Sequence, residues 1–245
     1  MRHFSLWVCL VICGLGSTLR ADDAPILPER TAPQLPLKGW QVLYVPGRPM
    51  RNVQPLTDKN LFVPIEGFSL TGPNPGHPFV LGNYTSDGKW GIVEGGIQVI
   101  GGKNAVLELA RGDQFELEGR IDQTNLGGWF LLLGWSDGHG YCISNVVMKE
   151  SGSPWFLTEF RGNKALTEAH TEFPSFEWKG DQAFKLQVTG KKLTLGVGNQ
   201  LLFEQQELPN YEAGAIILGT YDTRYGPRAL RLKSLRGREL EPAKK

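Results

Sequence analysis

The chain has little cysteine, and what it has excludes a disulfide-stapled fold. Of its three cysteines, Cys9 and Cys13 lie in the apolar run near the start, which we expect to be removed, so the mature protein keeps Cys142 alone. A single cysteine makes no internal disulfide. With no His–Asp pair near it in the sequence, Cys142 is predicted to be a buried packing residue rather than a catalytic thiol.

An apolar run long enough for a membrane anchor is missing as well. The run FSLWVCLVICGLG, which begins at Phe4, is shorter than the roughly 18 residues that such an anchor needs. Arg2 and His3 precede it, and a polar stretch follows it to Ala21, which is the order typical of a secretory signal. We therefore predict a signal peptide over residues 1–21. The expected product is a secreted or periplasmic protein that does not insert into a membrane once the signal is removed.

Neither sign of charge is in excess. Lysine and arginine number 26 against 25 aspartates and glutamates. No basic cluster runs along the chain, which argues against nucleic acid or an anionic membrane surface as a partner. The expected partner is therefore uncharged, or is recognised by a few specific groups.

Patterns typical of metal sites and of serine hydrolases are also absent from the sequence. His77, His139 and His170 show no H-x-H or H-x-x-x-H spacing, so neither a metal site nor a cofactor is predicted. At residues 136–138, Ser-Asp-Gly favours a plain turn over a calcium site, because Asp and Gly supply the special backbone angles of a turn. No G-x-S-x-G nucleophile motif occurs.

Proline is unevenly distributed, and this divides the chain. Eleven of the sixteen prolines lie between Asp22 and Pro78, where the missing backbone donor disfavours helices and central strands. We predict a proline-rich leader over residues 22–78 that packs on the flank of a domain covering residues 79–240.

From Lys89 onward, short apolar stretches alternate with glycine, asparagine and proline turns. In QFELEGRID, the apolar residues Phe115, Leu117 and Ile121 alternate with charged ones, a period of two that predicts a half-buried strand. No stretch of ten residues keeps a helical period. About a dozen such strands predict an all-β sandwich or barrel.

Four stretches in this order resemble a known family. They are DGKWGIVEGGIQV, QFELEGRI, AFKLQVTGKKLTLGVGNQLL and YEAGAIILGTYDTRYGPRALRLKSL. Together they resemble the jelly-roll domains of the 3-keto-disaccharide hydrolase type, in the concanavalin A-like lectin and glucanase superfamily. The resemblance implies a concanavalin A-like jelly-roll β-sandwich of two antiparallel sheets with a carbohydrate-related role. The family's N-S-G-I and Y-E-x-Q-I strands are not matched, which argues against inherited hydrolase activity.

Acidic pairs are the first candidates for chemistry, because glycoside cleavage commonly needs two carboxylates. Glu116 and Glu118 lie two apart on one predicted strand and share a face with Arg120 and Asp122. The run does not match the E-x-D-x-x-E order of laminarinase-type glucanases, and a solvated strand face is favoured. Glu116, Glu118 and Glu159 are the weak catalytic candidates.

Aromatic residues near one turn are the candidates for ligand binding. The stretch GGWFLLLGWSDGHGYCISN predicts a hairpin, with Trp129, Leu131, Leu133 and Trp135 on one face. In WFLTEFR, Trp155 would share a face with Glu159 and Arg161, a mixture of ring and charge that suits a ligand site. The predicted ligand-binding residues are Trp135, Asp137, His139, Tyr141, Trp155, Glu159 and Arg161. The alternative is that the leader covers these rings.

Three functions from different classes follow. The leading one is lectin-like, non-catalytic glycan binding on a concave face, with a neutral oligosaccharide or polysaccharide as partner. The alternative is a glycoside hydrolase that acts on oligosaccharides, which two acids facing each other across a groove would favour. The second alternative is a structural or interaction module that binds a cell-envelope protein, which a leader packed over the face would favour.

Overall fold

The computed structural model describes residues 32, 34–35, 41–44, 54–55, 62–65, 67–71, 84–102, 104–123, 128–145, 155–171, 180–221 and 230–241. The predicted signal peptide, residues 1–21, lies outside these ranges. Within them, no helix has the length and apolar character needed to cross a membrane.

The described residues form eighteen strands and no helix. In chain order the strands are β1 (Gln41–Tyr44), β2 (Gln54–Pro55), β3 (Val63–Ile65), β4 (Ser69–Leu70), β5 (Tyr84–Thr85), β6 (Lys89–Val93), β7 (Gly96–Gly101), β8 (Ala105–Gly112), β9 (Phe115–Gln123), β10 (Gly128–Ser136), β11 (His139–Asn145), β12 (Trp155–Arg161), β13 (Lys164–Thr171), β14 (Gly180–Thr189), β15 (Lys192–Val197), β16 (Gln200–Glu207), β17 (Gly214–Tyr221) and β18 (Leu230–Glu239).

The strands form two large antiparallel sheets. The nine-stranded sheet has the order β16-β15-β14-β9-β18-β7-β6-β2, with β1 beside the second half of β18. The seven-stranded sheet has the order β13-β12-β11-β10-β17-β8-β3, and β4 pairs with β5 in a small third sheet. The chain passes between the large sheets from β7 to β8 to β9, and again from β16 to β17 to β18. This confirms the predicted class, an all-β jelly-roll sandwich.

The main core lies between the two large sheets. Inward side chains of both sheets meet there in one cluster, in which the Trp129 ring packs edge-on against Trp155 with 5.2 Å between centroids. In β14 and β15 of the nine-stranded sheet these side chains alternate with outward polar residues, so one face of each strand is buried.

A second apolar cluster covers the other face of the seven-stranded sheet. Phe68 and Tyr84, beside and within β4 and β5, pack on Trp135 and Phe130 with ring centroids 5.6 and 5.2 Å apart. The Tyr84 hydroxyl donates to the Thr220 carbonyl oxygen at 3.0 Å. Both faces of this sheet are therefore apolar, as the sequence of β10 indicates.

The N-terminal strap, which we define as Ala32, Gln34 and Leu35, closes one end of the sandwich. The Leu35 amide donates to the Arg111 carbonyl oxygen at 2.9 Å. Its buried side chain belongs to the main core. A β-carbon added at Gly112 of one sheet or Gly237 of the other would lie 3.4 and 2.9 Å from its methyl groups. Leu35 thus fills the gap between the sheets. The strap and strands β1 to β4 come from the segment predicted as a leader, and the boundary at residue 78 stays a prediction.

Candidate functional site

The structure corrects the predicted face of Trp135. The pairing of β10 with both neighbours shifts register between Leu132 and Trp135 and between Leu133 and Ser136. Gly134 has φ +62° there, a left-handed conformation that suits a glycine at a β-bulge. The extra residue turns Trp135 away from Trp129 and onto the opposite face, in the second apolar cluster. Strict alternation predicted one shared face, which was wrong.

The aromatic candidates are therefore core residues. Trp135 and Trp155 have no exposed surface, and they lie in different clusters on opposite faces of the sheet. A ring without an open face cannot stack on a sugar. Their neighbours Asp137 and His139 are exposed on the hairpin turn, where His139 Nδ1 lies 2.8 Å from the Asp137 carbonyl oxygen. The structure does not bring the predicted ligand-binding residues onto one surface.

Three of the predicted residues do meet around one carboxylate. Glu159 accepts hydrogen bonds from Arg161 Nε at 3.2 Å and from the Tyr141 hydroxyl at 3.4 Å. Asn210 Nδ2 donates to the same carboxylate at 3.0 Å, and the Asn210 amide donates to the Tyr141 oxygen at 3.1 Å. Asn210 was not predicted, because only the fold brings the β16–β17 connection here. This buried carboxylate holds the connection in place.

Glu116 and Glu118 lie on the outer face of the nine-stranded sheet, within an ion-pair ladder. The Lys185 ammonium on β14 reaches Glu116 at 2.5 Å and Glu118 at 3.6 Å. On the other side β18 contributes Arg238, whose Nη2 lies 2.6 Å from Glu116, and Arg236, which pairs with Glu118. Burial alone raises the pKa of Glu116, but hydrogen bonds from Lys185 and Arg238 outweigh it and lower the pKa overall. Glu116 is thus held ionised.

A second ion-pair group continues this outer face. Arg120 Nε donates to Asp181 Oδ1 at 3.1 Å, and its Nη2 lies 3.0 Å from Oδ2. The Lys233 ammonium pairs with the same carboxylate at 2.8 Å. These hydrogen bonds, from Arg120 first and Lys233 second, lower the pKa of Asp181. The β18–β9 register shifts between Leu232 and Ser234, and both Lys233 and Ser234 are partly exposed between two buried leucines.

A cavity of about 370 Å³ opens among these charged groups. Four neighbouring strands, β15, β14, β9 and β18, supply its walls and floor. Its lining combines four long charged side chains, five small residues and two large apolar residues: Glu118, Arg120, Lys185, Arg236, Gly119, Ala183, Gly196, Gly198, Ser234, Phe184 and Leu235. The small residues leave the space, and the charged ones border it. We call this the ladder cavity.

Gly196 is one of the small residues that leave the ladder cavity open. On β15 its neighbours Leu195 and Val197 are buried, so alternation points a side chain at this position outward. It pairs in register with Lys185. A β-carbon added here would come no closer than 3.5 Å to any atom, the nearest being the Gln200 carbonyl oxygen. Any larger side chain would therefore extend into the cavity.

Only part of the ladder cavity could be predicted from the sequence. Alternation in QFELEGRID indicated that Glu118 and Arg120 face outward, but Lys185, Arg236 and Gly196 were not singled out. No group of three or more histidine, cysteine, aspartate or glutamate side chains in the described ranges could hold a metal ion.

No protein-family model and no curated protein sequence matches the chain. Solved structures that match it include the carbohydrate-binding module CBM66 from Bacillus subtilis, with 13% identity and a TM-score of 0.45, over 69% of this chain and 96% of the module. Galectin-Ib of Xenopus laevis matches with 12% identity and a TM-score of 0.42, over 55% of this chain and 98% of the galectin. A toad ovary galectin in complex with thio-digalactose matches with 8% identity and a TM-score of 0.44, over 56% and 99%. Such low identities concern the fold alone.

Proposed function

We propose that this protein is a saccharide-binding protein and that the ladder cavity is its binding site. The observation that carries the proposal is the cavity itself, whose small-residue floor is bordered by fixed charged side chains. Its volume of about 370 Å³ lies at the lower end of the range of small-molecule sites, roughly 300 to 1,000 Å³. A short segment of glycan is a ligand of suitable size.

Sugar hydroxyl groups suit the chemistry of this cavity. Each hydroxyl donates one hydrogen bond and accepts others, so a site for several of them needs donors and acceptors side by side. Arg120, Lys185 and Arg236 donate, and Glu118 accepts, all within one cavity lining. The ion pairs hold these groups in place before a ligand arrives, which lowers the entropy lost on binding.

Binding is favoured over hydrolysis by the state of the acids. A glycosidase needs one carboxyl group held protonated opposite a second carboxylate. Glu116 and Glu118 lie on the same strand, each bonded to cations from both sides, and the lowered pKa of Glu116 keeps its proton off. A glycoside hydrolase related to the 3-keto-disaccharide type remains the alternative.

A second candidate function has one observation in its favour. Phe68, Leu70 and Tyr84 cover apolar residues on the outer face of the seven-stranded sheet, and two of these three come from the predicted leader. A covered face favours an interaction module that binds a cell-envelope protein. For all of these functions we propose a secreted or periplasmic location, which follows from the predicted signal at residues 1–21.

The test is calorimetric titration of the purified protein with neutral and acidic oligosaccharides, for the natural chain and for Gly196→Ala and Gly196→Val. We expect a saturable signal that falls stepwise, with Gly196→Val at least about tenfold weaker, because the added carbon atoms occupy space that the ligand needs and weaken its fit. Urea unfolding should show no loss of stability, because the added β-carbon meets nothing closer than 3.5 Å.

The outcomes separate the candidates. Unchanged binding in stable Gly196→Val overturns the assignment of the ladder cavity as the binding site. No binding across the panel overturns saccharide binding itself and favours the interaction module. Release of sugar products in the same mixtures would favour the glycoside hydrolase alternative.

A further inference from the structure

We propose that the ladder cavity selects acidic saccharides, in which a sugar ring carries an oxyanion such as a carboxylate or sulfate. This inference rests on the proposed function and narrows it. It departs from the whole-chain expectation of an uncharged partner, because charges near the cavity are distributed differently from charges over the chain.

The ion-pair network around the cavity has more cations than anions. It contains five cationic side chains and three carboxylates among the described residues. Each of the two ion-pair groups has one more cation than carboxylate. Two glutamates are surrounded by Arg236, Arg238 and Lys185, and Asp181 is shared by Arg120 and Lys233. Asp122 and Arg231, opposite each other at the next position, add one charge of each sign. These two charges cancel, so the ion-pair network keeps its excess of positive charge.

The cavity lining itself shows the same sign. Three cations, Arg120, Lys185 and Arg236, line it together with one acid, Glu118. All three cationic side chains are about half exposed, at 52, 58 and 51%. An incoming anion can therefore reach these three cations without disrupting the fold. The nearby carboxylates reduce the electrostatic repulsion between the cations.

Arg120 is the cation best placed to bind the anion. A guanidinium has five N–H donors in a planar fork. Asp181 accepts at Nε and Nη2 of Arg120, which leaves donors of the same fork for a ligand. Ala183 and Ser234, its cross-strand neighbours on either side, are small and line the cavity. The space beside the guanidinium is therefore open to a second oxyanion.

The experiment compares trigalacturonate with its fully methyl-esterified form, which has the same rings and no charge. A galactotriose carrying ring sulfates is the third ligand, and it distinguishes sulfate from carboxylate. Affinities are measured by calorimetry at about 20 mM and about 500 mM salt, concentrations between which screening increases severalfold. The variants are Arg120→Gln and, as matched control, Lys192→Gln. Lys192 is a cation of the same outer face that pairs with Glu207 and does not line the cavity.

We expect the acidic form to bind at least about fivefold more tightly than the ester at low salt, since hydrogen bonds to charged groups are about twice as strong as neutral ones. Arg120→Gln should remove most of that advantage, because the acid loses a charge-assisted hydrogen bond while the ester loses only a neutral one. The affinity for the ester should therefore fall much less than the affinity for the acid. Lys192→Gln should change neither the affinity for the acid nor the affinity for the ester. The higher salt concentration should reduce the difference in affinity between the acid and the ester.

Equal affinity for the acid and its ester overturns the inference and leaves the proposed function standing. An equal loss in Arg120→Gln and Lys192→Gln overturns it too, because the attraction would then belong to the whole surface. Absence of binding to all three ligands and to the neutral panel overturns the proposed function itself.

Discussion

At the scale of single residues, Gly134 determines which face of the sheet receives Trp135. A substituent on its α-carbon would lie 2.8 Å from the Tyr211 ring and closer still to the Glu212 carbonyl oxygen. The β-bulge therefore needs a glycine for two reasons, its left-handed φ of +62° and the nearness of the β16–β17 connection. A sequence that reads LLLGW does not reveal a bulge, because glycine also occurs in regular strands.

Gly134→Ala should lower the free energy of unfolding by about 2 to 4 kcal/mol, since left-handed strain of about 1 to 2 kcal/mol is joined by a steric clash. Urea denaturation measures the change. Gly190→Ala is the matched control, because Gly190 has φ +57° and nothing within 4 Å of an added β-carbon. Equal losses in the two variants would show that the clash contributes nothing.

At the scale of strands, alternation predicted burial well but could not predict neighbours. In β14 the sequence DQAFKLQVT alternates outward and inward residues as expected. The partners of its outward residues come from far along the chain, since Asp181 pairs with Arg120 across 61 positions and with Lys233 across 52. Local patterns carry no information on such pairing, so the ladder could be predicted as a set of exposed charges but not as a site.

Strand β8 carries a buried acid beneath the N-terminal strap. Glu108 has no exposed surface and accepts hydrogen bonds from Arg111 Nε at 2.9 Å and from the Ala32 amide at 3.3 Å. Its Oε2 atom has no hydrogen-bond partner among the described residues. Burial raises the pKa of Glu108, and Arg111 only partly opposes this.

A raised folded-state pKa means that Glu108 favours folding while it is protonated. That contribution is present below the unfolded pKa of about 4.3 and is lost as pH rises through the folded pKa. We expect the natural chain to lose stability relative to Glu108→Gln as pH increases from about 4 to about 7. Urea unfolding at four pH values gives the difference. A difference that stays constant with pH, or that reverses in sign, would contradict the prediction.

At the scale of the whole molecule, the two large sheets depend on one another through the strap. Alternation and turn spacing predicted an all-β sandwich or barrel, and the resemblance to a known family implied the jelly roll that the fold confirms. The role of the strap could not be predicted, because a proline-rich sequence indicates only that the segment is neither a helix nor a central strand. Leu35 nevertheless belongs to the main core and touches strands of both sheets.

Leu35→Ala should therefore lower the free energy of unfolding by about 2 to 5 kcal/mol, as is usual for a fully buried leucine. Leu201→Ala, at an exposed leucine on β16, is the control and should change stability by less than about 0.5 kcal/mol. Thermal and urea unfolding both measure the effect. Losses of similar size in the two variants would show that the strap is not part of the cooperative unit.

The place of β18 has a consequence for how the protein folds as it is made. Strand β18 lies in the middle of the nine-stranded sheet, between β9 and β7, so the sheet stays in two halves until residues 230–239 have left the ribosome. Contacts this distant in sequence raise the contact order and slow folding. In the meantime, the nascent chain exposes open edges on β9 and β7, which are templates for wrong pairing. The nine-stranded sheet is therefore completed only after β18 has been synthesised, and the risk of aggregation is greatest just before that strand pairs.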